Sequence, residues 1–118
     1  MAYIINAGDL RTACVVERPI TRYDDAAEPL TEWENVFGEG KFLWCHVELS
    51  ALERETDGNR EVVEEAKITT RYSAAVTESC RIYRRGEQER PFLIEEAVPL
   101  AERRGWMIIR AKRKKAAV

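Results

Sequence analysis

The sequence predicts an all-β domain: a small antiparallel β-barrel or sandwich of about six strands, with a short N-terminal helical turn and a long inter-strand loop. Three observations carry this. Short apolar runs with period-two alternation recur at close spacing in the second half of the chain, at 67–72, 80–84, 90–98 and 105–112. Turn residues punctuate them, with Gly86 ending one run and Pro99 another. Runs this short cannot each hide an apolar face alone, so closing or stacking the sheet is the economical solution.

In chain order, Asn6 can cap a short helical turn over 6–11, and 12–18 reads as a strand stopped by Pro19. Residues 19–40 read as a long connection in which Asp24, Asp25, Glu28, Glu32, Glu34 and Glu39 meet no base after Arg22 until Lys41. One short strand at 31–36 interrupts it, and Pro29, Gly38 and Gly40 mark turns. The clearest strand is 41–50, with Leu43, Cys45, Val47 and Leu49 on an apolar face and Phe42, Trp44, His46 and Glu48 on a mixed one. Residues 51–65 then carry Glu53, Glu55, Asp57, Glu61, Glu64 and Glu65 against Arg54 and Arg60, with a turn signal at 57–59. Lacking an apolar stripe, this stretch is expected to be a mobile acidic loop, with a helix over 60–66 as the alternative. In the later strands Phe92, Ile94 and Val98 share a face, Trp106 lies with Ile108, and Met107 lies with Ile109 opposite them.

The 118 residues suit one domain over 1–118, and the 45% hydrophobic and 34% charged content fits a soluble globular class. No apolar run approaches the roughly 20 residues that span a bilayer, and the N-terminus lacks a signal-peptide pattern, so the expected compartment is the cytoplasm of the producing cell. Cys14, Cys45 and Cys80 are odd in number and widely spaced, which supports neither a disulfide framework nor a zinc site; buried free thiols are expected. The net charge of −2 hides a polarity: residues 1–65 hold 15 acids and 6 bases (−9), and residues 66–118 hold 6 acids and 13 bases (+7). Either the fold segregates these charges onto two surfaces or antiparallel strands interleave them.

Motifs for catalysis are missing. His46 is the single histidine, and Cys45 beside it points to the other strand face, so the two cannot share an ion without a bulge. Glu95 and Glu96 are adjacent and therefore expected on opposite faces. With no phosphate loop, nucleophile elbow or zincin motif, no enzyme activity, metal or cofactor is expected. The basic region Arg103, Arg104, Arg110, Lys112, Arg113, Lys114 and Lys115, with a tail at 110–118, suits either phosphate contact or docking to an acidic protein surface. Trp33, Trp44 and Trp106 are assigned to the core rather than to a partner.

Several short motifs fall in a suggestive order. They are Ala7-Gly8-Asp9-Leu10-Arg11, a strand ending in Glu17-Arg18-Pro19, the polar 24–29 stretch leading to Trp33, and Trp44-Cys45-His46-Val47-Glu48 before the long loop. The second half adds Arg71-Tyr72, Val76-Thr77, Cys80-Arg81-Ile82, Gly86, Phe92-x-Ile94, Val98-Pro99 and Trp106-Met107-Ile108-Ile109. Together, over about 7–112, they resemble the phage head-tail joining proteins, also called head-closure, stopper or head-tail adaptor proteins. Cys45-His46 after Trp44 and the charge-rich 112–115 segment depart from the family pattern.

The resemblance implies a non-enzymatic connector of the virion, or of a prophage particle, assembled in the host cytoplasm as a homo-oligomeric ring. Its implied partners are the portal or head-tail adaptor, the tail terminator or tail tube protein, and packaged double-stranded DNA in the channel, with no membrane. The 51–65 loop would project into that channel; half of its length reaches at most about 25 Å. Six carboxylates copied around a ring would form a negative collar that repels DNA. Arg71 and Arg81 would pair with carboxylates within the barrel or between subunits, or stand exposed. The rival expectation is a β-barrel nucleic-acid-binding module using the basic 103–115 region.

Overall fold

The computed structural model describes residues 5–56 and 58–114. A single 3-10 turn, Ala7–Asp9, opens it, and Asn6 N donates to Asp9 Oδ2 at 2.8 Å across the turn. Seven strands follow: β1 (Thr12–Tyr23), β2 (Pro29–Asn35), β3 (Leu43–Thr56), β4 (Asn59–Arg71), β5 (Arg81–Arg84), β6 (Phe92–Pro99) and β7 (Trp106–Lys114). They form one sheet in the order β2-β1-β3-β4-β7-β6-β5, every pairing antiparallel, and β5 returns to pair with β1. Six strands thus close a ring, and β2 hangs outside it on the far half of β1.

The inside of so few strands is narrow and is filled by small and medium side chains. Cys14 and Val16 from β1, Cys45 from β3, Ala66 and Ile68 from β4, Ile82 from β5, Phe92 and Ile94 from β6, and Met107, Ile109 and Ala111 from β7 make this core. Val76 and Cys80 join it from the connection between β4 and β5. Thr70, fully buried, donates its hydroxyl to Trp44 O at 2.8 Å, so the polar group inside is satisfied.

The all-β class is as expected, and four local expectations are overturned. Pro19 does not stop β1. Val36 N donates to Val16 O and Arg85 N donates to Ala13 O, so counting by twos puts the Pro19 main chain on the side away from β2. The last β5 pair there is Glu17 with Arg81, and a residue with no N–H loses nothing beyond it. Much of the expected 19–40 connection is accordingly a hairpin, with β1 running to Tyr23 and β2 occupying Pro29–Asn35.

Residues 51–56 and 59–65 are neither loop nor helix: they continue β3 and β4, paired in unbroken register from Cys45 with Thr70 to Thr56 with Asn59. In β6 the register shifts between Ile94 and Glu96, and this bulge turns the strand. Ala97 then packs on the core while Val98 is 42% exposed, so Val98 does not share the face of Phe92 and Ile94. The same bulge puts Glu95 and Glu96 on one face, where they meet Lys112 and Arg110.

The two hairpins extend beyond the ring. The radius of gyration is 16.0 Å, against about 13.5 Å for a compact chain of this length.

Candidate functional site: two projecting hairpins and the surfaces between them

The β3–β4 hairpin takes its length from cross-strand pairing rather than from burial. β7 flanks β4 as far as the pair Val63 with Lys114, and among the described residues the last four of each arm pair only with each other. At about 3.3 Å per residue, that tip reaches about 13 Å past the ring.

Register brings the acidic and basic halves of the sequence face to face. Glu64 lies opposite Arg113 and Glu65 opposite Lys112. Their side chains meet: Arg113 Nε to Glu64 Oε2 at 2.6 Å, Lys112 Nζ to Glu65 Oε1 and to Glu95 Oε2 at 3.3 Å each, Lys114 Nζ to Glu61 Oε1 at 3.5 Å, and Arg110 Nε to Glu96 Oε2 at 3.7 Å. Glu95 and then Glu65 raise the Lys112 pKa by hydrogen bonding its ammonium. Arg113 is the buried member, its side chain 7% exposed, and it also donates to Arg90 O at 2.8 Å and stacks over Phe92 at 4.1 Å.

Of the two arrangements left open by the charge count, strand interleaving is the one found. Glu61, Glu64 and Glu65 are engaged by β7, so the negative collar expected of 51–65 shrinks to the exposed Glu53 and Glu55 beside Arg60; the Arg54 backbone pairs with Glu61, and Asp57 lies outside the described residues. The basic region is likewise occupied. Arg103 donates to Ile5 O and stacks on Trp106 at 3.8 Å, Arg104 is exposed, and Lys115 lies outside the described residues.

Arg71 and Arg81 both act within the chain. Arg71, like Arg103, stacks on the Trp106 ring, at 4.6 Å, and that indole is 3% exposed. Arg81 Nε donates to Glu17 Oε1 at 2.8 Å, Tyr83 Oη donates to Glu17 Oε2 at 3.2 Å, and the Arg81 guanidinium lies over Trp33 at 4.2 Å. Burial first, then the Glu17 charge and hydrogen bond, push the Tyr83 phenol up from its ordinary value. This knot sits where β1 passes from β5 to β2, since Glu17 is paired with both Arg81 and Asn35.

A surface not assigned from sequence lies at the start of β1. Trp44, expected in the core, is 54% exposed, and Phe42 is 39% exposed. Alternation along 41–50 had already put both on the face opposite Cys45, which is the signal that marks them. Arg11, Arg84 and Arg85 border Trp44, and Arg85 lies over Phe42 at 5.3 Å. Arg84 donates twice to the Glu87 carboxylate at 2.8 Å, which holds that carboxyl below its ordinary value.

His46 is half-buried, with Nε2 at 3.3 Å from Glu48 Oε1. Cys14, Cys45 and Cys80 are free and buried. A hydrogen bond to Cys14, together with burial, pushes the Cys45 thiol up. Among the described residues no cluster of histidine, cysteine and carboxylate side chains is arranged to hold a metal ion, and no helix is long and apolar enough to cross a membrane.

A family model described as phage head completion protein matches residues 5–114. The chain belongs to the phage head completion protein family. A head completion protein is a structural component of the virion, and this chain is one. A search among curated proteins finds no match. Among solved structures, a chain in the virion of a native gene transfer agent particle has the same fold, with a TM-score of 0.63 over 89% of this chain and 94% of that chain at 19% identity.

Proposed function

We infer that this head completion protein is a ring-forming connector: copies assemble beneath the portal or its adaptor, close the filled head and present the surface to which the tail attaches. Family membership over residues 5–114 carries this reading. The shape supports it, because a closed six-stranded body with two protruding ribbons offers separate surfaces for neighbours on either side. The role is mechanical.

The β3–β4 hairpin is the element that reaches the channel. With Glu61, Glu64 and Glu65 held by β7, it is a stiff ribbon, and its tip over 53–60 holds Glu53, Glu55 and Asp57 against Arg54 and Arg60, a small net negative charge turned toward DNA. Such a tip obstructs sterically and repels phosphate rather than binding it. Deleting the gene in the producing phage or prophage and imaging the lysate tests the connector: separate filled heads and tails are expected, whereas intact tailed particles would refute it. Glu53→Gln with Glu55→Gln tests the hairpin through DNA retention and ejection, which should change.

A further inference from the structure

β1 carries two different surfaces far apart on one strand. Near its start, Ala13 lies opposite Trp44 and accepts Arg85 N–H at 2.8 Å. Two residues on, Val15 pairs with Tyr83 and borders a shallow groove with Phe42 and Arg85. The result is an exposed aromatic ridge flanked by Arg11 and Arg85. Arg84 there is matched by Glu87, and Glu89 stands at the margin, so three arginines face two carboxylates. Exposed tryptophan with arginine is the composition of an interface hot spot.

At the other end of β1 the β1–β2 ribbon has two unlike faces. One carries the ion pairs Arg18 with Glu34 at 2.9 Å and Arg22 with Glu32 at 2.5 Å. The other is uncharged along the ribbon: Pro19 opposite Trp33, Thr21 opposite Thr31 and Tyr23 opposite Pro29. Tyr23 at its end is 70% exposed. The turn beyond it holds Asp24, Asp25 and Glu28 and no base; Asp24 Oδ1 is spent on the Ala26 and Glu28 N–H groups at 2.9 Å, and Asp25 and Glu28 point outward, both exposed.

The tip is therefore aromatic and anionic, and the patch is aromatic and cationic. Ten residues of continuous strand separate Ala13 from Tyr23, a span of about 33 Å. A chain cannot bring its own tip to its own patch.

We propose that the tip of the β1–β2 ribbon docks on the Trp44–Arg85 patch of a second copy of this chain, head to tail. The proposal rests on the ring reading above and names the contact between neighbours. Tyr23 and Pro29 cover Trp44 and Phe42, and Asp25 and Glu28 approach Arg11 and Arg85. Because tip and patch differ, the contact is heterologous, and repetition of it closes a ring when the rotation per subunit allows. The β3–β4 tip is the weaker candidate for the same patch, since its acids are accompanied by Arg60 and it presents no aromatic ring.

Paired cysteines test this in assembled particles. The native thiols are no more than 2% exposed and stay silent. A chain carrying both Asp25→Cys and Arg85→Cys, incorporated into particles and oxidised, should give a ladder of covalent multimers on a non-reducing gel, and neither single variant should give one. Particles that contain the protein but give no ladder would overturn this contact and leave the connector intact. Tailed particles that lack the protein would instead sink the connector reading. A product that stops at the dimer, or a ladder from Glu55→Cys with Arg85→Cys in place of the first pair, would also overturn the proposal. A charge swap gives an independent measure: Asp25→Arg and Arg85→Asp alone should each lower the yield of tailed particles about tenfold, and the combination should restore it.

Discussion

Removing Glu17 should unfasten the seam of the ring. Its side chain is 10% exposed and its carboxylate takes two hydrogen bonds, from Arg81 at 2.8 Å and Tyr83 at 3.2 Å. In Glu17→Ala the Arg81 side chain, 20% exposed, keeps its charge and loses its counterion. Stranding one member of a fully buried pair costs about 3–5 kcal/mol; partial access to water lowers the expectation here to about 2–4 kcal/mol. Domains of this size hold about 5–15 kcal/mol in all, and each kcal/mol shifts the midpoint by about 4 °C, so Tm should fall by about 8–16 °C. Glu17→Gln can keep its amide oxygen as acceptor for Arg81 and turn its NH2 to donate to the Tyr83 hydroxyl, so it removes the charge and reverses one hydrogen bond, for a loss of about 1–2 kcal/mol. Urea unfolding followed by near-UV circular dichroism measures both. A loss below about 1 kcal/mol in Glu17→Ala, or equal losses in the two variants, would refute the view that a charged hydrogen-bonded knot holds the β1–β5 seam.

Three further outcomes are expected. Arg113→Met keeps apolar packing over Phe92 but takes from Glu64, 19% exposed, its 2.6 Å partner and leaves it Arg90 at 3.8 Å; a cost of about 1–2 kcal/mol and faster amide hydrogen exchange along β3 and β4 should follow, and unchanged exchange would contradict the account of the hairpin's stiffness. Ala27 sits at φ 59°, a left-handed conformation costly for alanine, so Ala27→Gly should raise the urea midpoint by the equivalent of about 0.5–1 kcal/mol. Tyr83, its pKa raised by burial and then by Glu17, contributes stability that is complete below its ordinary value near 10 and is lost as pH rises above it; tyrosinate absorbance should show one late-titrating phenol that disappears in Tyr83→Phe.

The strands that were legible in the sequence are those with one wet and one dry side. The stretch at 41–50 and the runs that became β5, β6 and β7 alternate because one side of each meets the core. The hairpin over 51–65 has no such imprint: outside the ring neither of its faces is dry, so composition resembled a loop. What holds it is charge across β4 and β7, Glu64 to Arg113 and Glu65 to Lys112, and that pairing is visible only once the register is known. Pro19 misled for a related reason, because whether a missing N–H matters depends on which edge of β1 has a neighbour. The β6 bulge moved Val98 outward and gathered Glu95 and Glu96 on one face, and a single extra residue leaves no trace in an alternation pattern. Of the site, carboxylate pairing was expected of both Arg71 and Arg81; Arg81 meets Glu17 while Arg71 lies over Trp106, and the Trp44 patch was hidden by the general preference of tryptophan for interiors.

The continuity of β1 has a mechanical consequence. One unbroken strand runs from the seam, where Cys14 to Glu17 pair with Arg84 to Arg81, out to the ribbon at Tyr23. Tension applied at the ribbon therefore travels along the strand axis and reaches the seam as shear, loading its hydrogen bonds together instead of peeling them one at a time. Antiparallel ladders resist that direction of pull best. Glu17 and Arg81 are the rivet at the place where that load changes strands.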